Sequence, residues 1–343
     1  MTERNPRTLS SRRGVLKLLS GAAVGGLAGC TGDDTDNGTD DDDTPTPTGT
    51  TPSDGPPTTG AIPTEEPTSG TETPTPTATP PWDAGLLRAM SFNIRYDNPD
   101  DDPPWSDRRE RVVEAIDGVE PDVVGLQEAL PHQLAYLREH LEDYEWYGVG
   151  RYGDDEGEHA PVGWRSDRFE AVDRGTFWLS ETPEEPGSVS WNANLPRIAS
   201  WVDLELRSGI RFRAYSTHLS HVSETARANS SALIRDRIED LLVDGRMVVV
   251  LGDFNFTPDS EPYVELTRSG LVDARRVADS IEGPEGTFQG FGGDPGERID
   301  YVFLPTGVGV ERFRTLPTAE PVRSDHLPVV ADIDRDSVEA AFE

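Results

Sequence analysis

Short apolar runs alternate along this chain with longer segments that are apolar on one side only. Met247-Val248-Val249-Val250-Leu251 places five apolar residues in succession, three of them β-branched, and predicts a strand covered on both faces. Gly252 then permits a turn, and Asp253 and Asn255, two positions apart, are expected to point the same way from its end. Further strands are expected over 86–96, 122–127, 211–218, 298–304 and 326–333, with a run of strands and turns over 144–201. Helices are expected over 106–116, with Ser106 as N-cap, and over 132–141, 224–242 and, briefly, 261–268. Within 224–242, Ala226, Leu233, Ile234, Ile238, Leu241 and Leu242 fall on one side. Strand-dominated stretches mixed with crossover helices predict an α/β domain of two packed sheets with helices outside. The two halves share a coarse strand–helix–strand rhythm without an internal repeat.

The first 82 residues break this rhythm. Arg12-Arg13 precedes a weakly apolar stretch, Leu18 to Gly29, too short to span a bilayer, and residues 1–30 resemble a twin-arginine export signal. Leu27-Ala28-Gly29-Cys30 looks like a lipobox, so Cys30 is expected to carry a lipid; it is the only cysteine, which excludes an internal disulfide. Residues 31–82 hold eleven acids, no Lys or Arg, and repeated Thr-Pro pairs. Such a segment cannot bury enough apolar surface to offset its chain entropy and is expected to be an extended tether. The expectation is a protein exported and anchored to the outer face of the cell membrane, with one domain over 83–343.

That domain sets 26 arginines against 52 carboxylates, and the only lysine of the chain is Lys17. An acidic, lysine-free composition resembles proteins of organisms that keep molar salt around them, where the Debye length is about 3 Å. It is also a poor electrostatic partner for a polyanion, although salt weakens that exclusion.

The ends of the expected strands carry polar groups that packing does not need. These are Asn93, Glu128, His218, Asp253 with Asn255, Asp300, and the pair Asp325-His326. Singly, each has an ordinary role as a cap, a turn residue or a hydrogen-bonded core histidine. Their shared placement points to one cleft. Four carboxylates gathered there repel one another, so a cation is expected among them, and oxygen ligands without cysteine favour Mg²⁺ or Mn²⁺ over zinc.

The motifs SFNIR (91–95), GLQE (125–128), STHL (216–219), GDFN (252–255), RIDYVF (298–303) and SDHLPVV (324–330) resemble, in order, those of the endonuclease/exonuclease/phosphatase superfamily of metal-dependent hydrolases. The resemblance covers almost all of 86–333 and implies a four-layer α/β/β/α sandwich with the site at one end of the paired sheets. It implies Glu128 as principal metal ligand, with Asn93 and Asp325 as ligands or anchors of metal-bound water. Asp253 would orient or deprotonate the attacking water, and Asn255 would donate to a phosphate oxygen or to that water. His326, oriented by Asp300, and His218 would contact the phosphoryl group. In a stretch resembling one subgroup, Arg197 is a candidate phosphate contact, and Trp164 stands where relatives more often have tyrosine.

The implied activity is divalent-metal-dependent hydrolysis of a phosphoester, with RNA or DNA diesters outside the cell expected first. A nucleic acid could stack on Trp105, Trp191 or Tyr152. Other expectations are a small or lipid phosphoester as substrate, or a catalytically dead surface binding module. A lysine-rich pocket for inositol polyphosphates is excluded by composition, and no apolar membrane-dipping hairpin is visible. The protein is expected to be a monomer.

Overall fold

A computed structural model describes residues 85–337 except 207, 208, 210 and 269. The twin-arginine motif, Cys30 and the tether therefore lie outside the described residues. The chain runs β1 (Leu86–Asn93), α1 (Trp105–Val119), β2 (Val123–Gln127), α2 (Pro131–His140), β3 (Tyr144–Tyr147), β4 (Val162–Arg165), β5 (Phe169–Trp178), β6 (Ile198–Leu206) and β7 (Arg211–His218). It continues with α3 (Glu224–Val243), β8 (Met247–Asp253), α4 (Glu261–Thr267), β9 (Leu271–Asp273), α5 (Ala274–Val277), β10 (Ala278–Glu282), β11 (Asp300–Pro305), β12 (Val310–Thr315) and β13 (Val329–Asp334).

The strands form a seven-stranded sheet, β10-β12-β13-β1-β2-β4-β3, and a six-stranded sheet, β5-β6-β7-β8-β11-β9. The expected rhythm is explicit in the topology. β1 and β2 are parallel and joined through α1, as β7 and β8 are through α3. Antiparallel β13 beside β1 and antiparallel β11 beside β8 complete each half. All of these strands consequently bring their Asn93, Gln127, His218, Asp253, Asp300 and Val329 ends to one side of the domain.

Strand periodicity sorts the side chains into layers. Leu87, Ala89, Val123, Phe212, Ala214, Val249, Leu251 and Val302 fill the space between the sheets. Their neighbours Met90, Phe92, Val124 and Leu126 meet α1 and α2, while Val248, Val250, Tyr301 and Phe303 meet α3 and α4. This is the α/β/β/α sandwich. On α3 the expected stripe is buried at Ala226, Ile234, Ile238 and Leu241, with Leu233 and Leu242 partly buried against the same core. A Cβ on Gly125 would lie 2.7 Å from Leu251 Cβ, so the two sheets approach at a point that admits no larger residue.

Element ends differ from the pattern where turn chemistry intervenes. β1 stops at Asn93, short of residue 96, because Arg95 takes a left-handed φ of 57°. Ser106 is not the N-cap of α1: Pro104 holds that position without a side-chain cap bond, and the Ser106 hydroxyl donates to Asp107 at 2.9 Å. The last strand starts at Val329 and not at residue 326, since Pro328 has no N–H for a ladder. β9, β10, α5 and β12 were hidden by brevity and exposure; β10 has four exposed residues of five. No helix among the described residues is long and apolar enough to cross a membrane.

Candidate active site

Following the inward-facing positions along the central strands explains where the site forms. Deep between the sheets they are apolar. One step on they become Ser91 and Ser216, and Gln127, level with Asn93, reaches back with its Nε2 donating to Ser216 Oγ at 3.3 Å. At the last step they are Asn93, His218, Asp253 and Asp300, whose strands are in direct register as His218↔Asp253 and Asp300↔Asp253. The alternation that packs Val249 and Leu251 thus delivers Asp253 to the same inter-sheet layer.

Asn93 sits at the centre, with Nδ2 3.0 Å from Asp253 Oδ2 and 3.1 Å from Glu128 Oε1, and its Oδ1 accepts from the backbone N of Arg95 at 3.0 Å. It thereby joins two of the carboxylates. Glu128 follows β2 in a left-handed conformation (φ 62°) and accepts from Tyr96 N at 3.2 Å. Asp325 accepts from Ser324 Oγ at 3.2 Å, and Arg95 lies 3.9 Å from it and 3.8 Å from Glu128. Asp300 is fully buried and holds His326 Nδ1 at 2.8 Å, while His326 Nε2 is 3.7 Å from Asp253. His218 Nε2 lies 3.4 Å from Asp253 Oδ2.

Asn255 also reaches the cleft, but not by strand alternation. It lies beyond β8 with φ 51°, its backbone N donates to Asp253 Oδ1 at 3.0 Å, and its Nδ2 donates to Leu219 O at 3.2 Å. Asp253 is thus fixed through both oxygens.

The environments drive the protonation states apart. Burial raises the Asp253 carboxyl to about 7, against the lowering pull of His326. Burial alone would depress the His326 imidazolium, but Asp300 and Asp253 reverse this and raise it to about 10. His218 goes the other way: burial and the nearby Arg197 hold it well below its ordinary value, so it is neutral. An acid, a base and a neutral imidazole share one cavity, the division that hydrolytic chemistry needs.

The residues fit a divalent cation. Ligand atoms of Glu128, His218 and Asp253 all lie within 4.8 Å of one another, and so do those of Asp253, Asp300 and His326. The second group is already satisfied as a hydrogen-bonded relay, so the first, opening on the cleft beside Asp325, is the better cation seat.

The cleft has a volume of about 660 Å³ and is also lined by Tyr96, Arg151, Glu158, Arg197, His221 and Phe288. A larger groove of about 830 Å³ lies between the edge strands β3 and β5, but its wall of Glu145, Phe169, Glu170, Asp173 and Arg174 groups no histidine with its acids. Arg197, just before β6, is buried and forms no ion pair within 4 Å among the described residues; its Nη2 is 2.8 Å from His221 Nδ1. Arg151 pairs with Glu158 at 2.8 Å. Arg151, Glu158 and His221 escape sequence reading because they lie on loops, where no periodicity marks a direction; the proximity of His221 to His218 is the only signal. Trp164 is buried in the inter-sheet core and Trp105 between α1 and α2, so Trp105 is not available for stacking a base. Tyr152 is exposed at 43% and Trp191 is half-buried, both outside the lining of the cleft.

The family model described as the Endonuclease/Exonuclease/phosphatase family matches residues 90–326. A solved endonuclease/exonuclease/phosphatase from Bacteroides vulgatus is 38% identical, covering 72% of this chain and 98% of its own, with a TM-score of 0.69. A mannosyl-6-phosphatase from Bacteroides thetaiotaomicron is 32% identical, covering 72% and 99%, with a TM-score of 0.68. The human Nocturnin catalytic domain, at 20% identity, covering 73% and 93% with a TM-score of 0.58, shares the fold. No curated protein sequence matches.

Proposed function

The chain belongs to the endonuclease/exonuclease/phosphatase family of phosphoester hydrolases, and we propose on that premise that it removes phosphate from a small, hydroxyl-rich phosphomonoester such as a sugar phosphate, using Mg²⁺ or Mn²⁺. The observation that carries this reading is the cleft itself: about 660 Å³, a size suited to a small molecule, lined by Arg95, Arg151 and Arg197, of which Arg95 is paired with Asp101 and Arg151 with Glu158. Residues 83–343 contain no lysine to bind a polyanion. The 32% identity to a mannosyl-6-phosphatase over 99% of that chain supports the same substrate class. A nucleic acid diester, expected first from the sequence, keeps one supporting feature: Phe288 is 41% exposed, its ring 5.1 Å from that of His326, where a base could stack.

Glu128, with Asp325 and His218 beside it, would hold a divalent ion, which would supply positive charge to the phosphoryl and leaving-group oxygens. Asp253, fixed by Asn93 and by the backbone of Asn255, accepts a proton from the attacking water as the new P–O bond forms. His326, protonated and steered by Asp300, donates a hydrogen bond to a phosphoryl oxygen as negative charge builds there. Neutral His218 and the Asn255 amide face the same oxygens, and Arg197, near His218, supplies a cation. The P–O bond to the substrate oxygen breaks, its electron pair leaving with that oxygen, which takes up a proton from solvent, so that an alcohol and inorganic phosphate result.

The same proposal places the enzyme outside the cell, tethered through a lipid on Cys30 and acting as a monomer; the support is the arginine pair, the lipobox-like LAGC and the acidic tether. A substrate panel tests the activity: full-chain protein in high KCl with Mg²⁺ is given sugar phosphates, bis-p-nitrophenyl phosphate, single-stranded RNA and single-stranded DNA. Phosphate release from the sugar phosphates at the highest kcat/KM is the expected result. Preferential cutting of RNA or DNA assigns the nuclease reading instead, and inactivity on every substrate favours a binding module.

A further inference from the structure

Arg197 presents an unusual charge arrangement. Its guanidinium is buried, with the residue 6% exposed; its Nε has no hydrogen-bond partner, and among the described residues no carboxylate lies within 4 Å. Glu158, Glu128 and Asp253 favour its charge from further off, but a buried cation without a paired carboxylate is costly and calls for a partner. Arg151 on the same wall is neutralised by Glu158 at 2.8 Å, and Arg197 is not. The one side-chain hydrogen bond that Arg197 makes runs from Nη2 to Nδ1 of His221 at 2.8 Å.

Chemistry fixes the direction of that bond. A guanidinium has donors only and keeps its proton, so the ring nitrogen must accept, and His221 must be neutral. Burial and then Arg197 itself push the His221 imidazolium down, in agreement. A carboxylate at this place would hold the guanidinium equally well but cancel its charge. A neutral imidazole holds it and leaves the charge free.

We propose that His221 is a positioning residue: a neutral acceptor that fixes Arg197 facing the cleft while preserving its full positive charge for the dianionic phosphate of a monoester. The idea rests on the monoesterase reading above and deepens it. His221 lies on the loop between β7 and α3, three residues beyond His218, so one turn of chain supplies both a group facing the phosphoryl oxygens and the support for a second.

The test compares wild type, His221→Ala, His221→Asn, His221→Asp, Arg197→Ala and the Arg197→Ala/His221→Ala double variant as full-chain proteins with Mg²⁺. Two quantities are read: KM and kcat on a sugar phosphate, and the affinity for inorganic phosphate by calorimetry. In His221→Ala, KM rises and phosphate binding weakens about 10-fold or more, the loss of one charge-assisted hydrogen bond, while kcat stays within about 3-fold. His221→Asn, which still offers a neutral acceptor, recovers most of the affinity. His221→Asp binds phosphate as weakly as His221→Ala, because the guanidinium is now neutralised. The double variant binds no more weakly than Arg197→Ala alone. Unchanged phosphate affinity in His221→Ala, wild-type affinity in His221→Asp, additive losses in the double variant, or no phosphate binding by wild type would each overturn the proposal. If wild type turns over no monoester, the functional reading fails separately, and the phosphate affinities still decide the role of His221.

Discussion

At one end of the central strands Arg88 of β1 donates to Asp332 of β13 at 2.6 Å and, from its backbone, to Asp122 at 2.7 Å; at the other end of the same strands Asn93 lies between Glu128 and Asp253. Both clusters are buried, and they differ in balance. Asp332 also meets Arg312 at 2.9 Å, and Asp122 pairs with Arg168, so each acid has an arginine partner. Although burial pushes Asp332 up, its arginines hold it below the ordinary carboxylate range. At the site end, Glu128, Asp253, Asp300 and Asp325 gather around one charged imidazole, with Arg95 the one arginine within 4 Å of them among the described residues, and Asp253 is raised to about 7. Buried charge that is fully paired supports the fold. Buried charge left incomplete is held by the fold for something that binds.

Substitutions at the two ends should therefore fail in opposite ways. The largest effect is expected from Asp253→Asn: kcat falls by about 10²–10⁴-fold, the worth of a general base, while thermal unfolding shows a midpoint equal to or above wild type because a repelled carboxylate is gone. A midpoint well below wild type would blur the two ends into one. Next is Arg88→Ala, which removes the shortest partner of buried Asp332 and leaves Val119 O without its buried donor, and should cost about 3–5 kcal/mol in denaturant unfolding, with kcat of the folded protein unchanged. A smaller loss, about 1–3 kcal/mol, is expected for Gly125→Ala at the close approach of the sheets between the two clusters, because Leu251 must shift.

The finest test is pH. His326 is raised to about 10 by Asp300 and Asp253, so its donor form persists at neutral pH and is lost as pH rises through that value. Asp253 is the base only when ionised, so kcat/KM declines on the acid side at or below about 7, and lower still once a divalent ion sits beside it. In Asp300→Asn the alkaline limb moves to lower pH, because the carboxylate that raised His326 is gone. A limb that stays in place assigns it to another group.

Sequence reading reached the site where strand periodicity governs and stopped where loops do. Asp253 follows from the alternation that buries Val249 and Leu251, and the ends of β7 and β8 bring His218 beside it. Glu128 and Asn255 were visible as polar residues past strand ends, but their left-handed backbone, with φ of 62° and 51°, is not written in an apolar pattern. Asn255 shares the cleft through a turn and not through the expected two-residue repeat. The pairing of Arg197 with His221 joins residues 24 apart on separate loops, and neither residue signals the other. Weak strands such as β10 carry too few buried positions to mark themselves.

The central claim is that the unbalanced end of the strands seats a divalent cation and works as a phosphoester hydrolase. It is tested most directly by measuring phosphate release from a sugar phosphate by wild type and Glu128→Gln, first in EDTA and then with Mg²⁺ restored. Wild type should be silent in EDTA and recover fully with Mg²⁺, while Glu128→Gln needs far more Mg²⁺ or stays silent. Undiminished release in EDTA, or a Glu128→Gln enzyme with the metal requirement of wild type, would contradict the account.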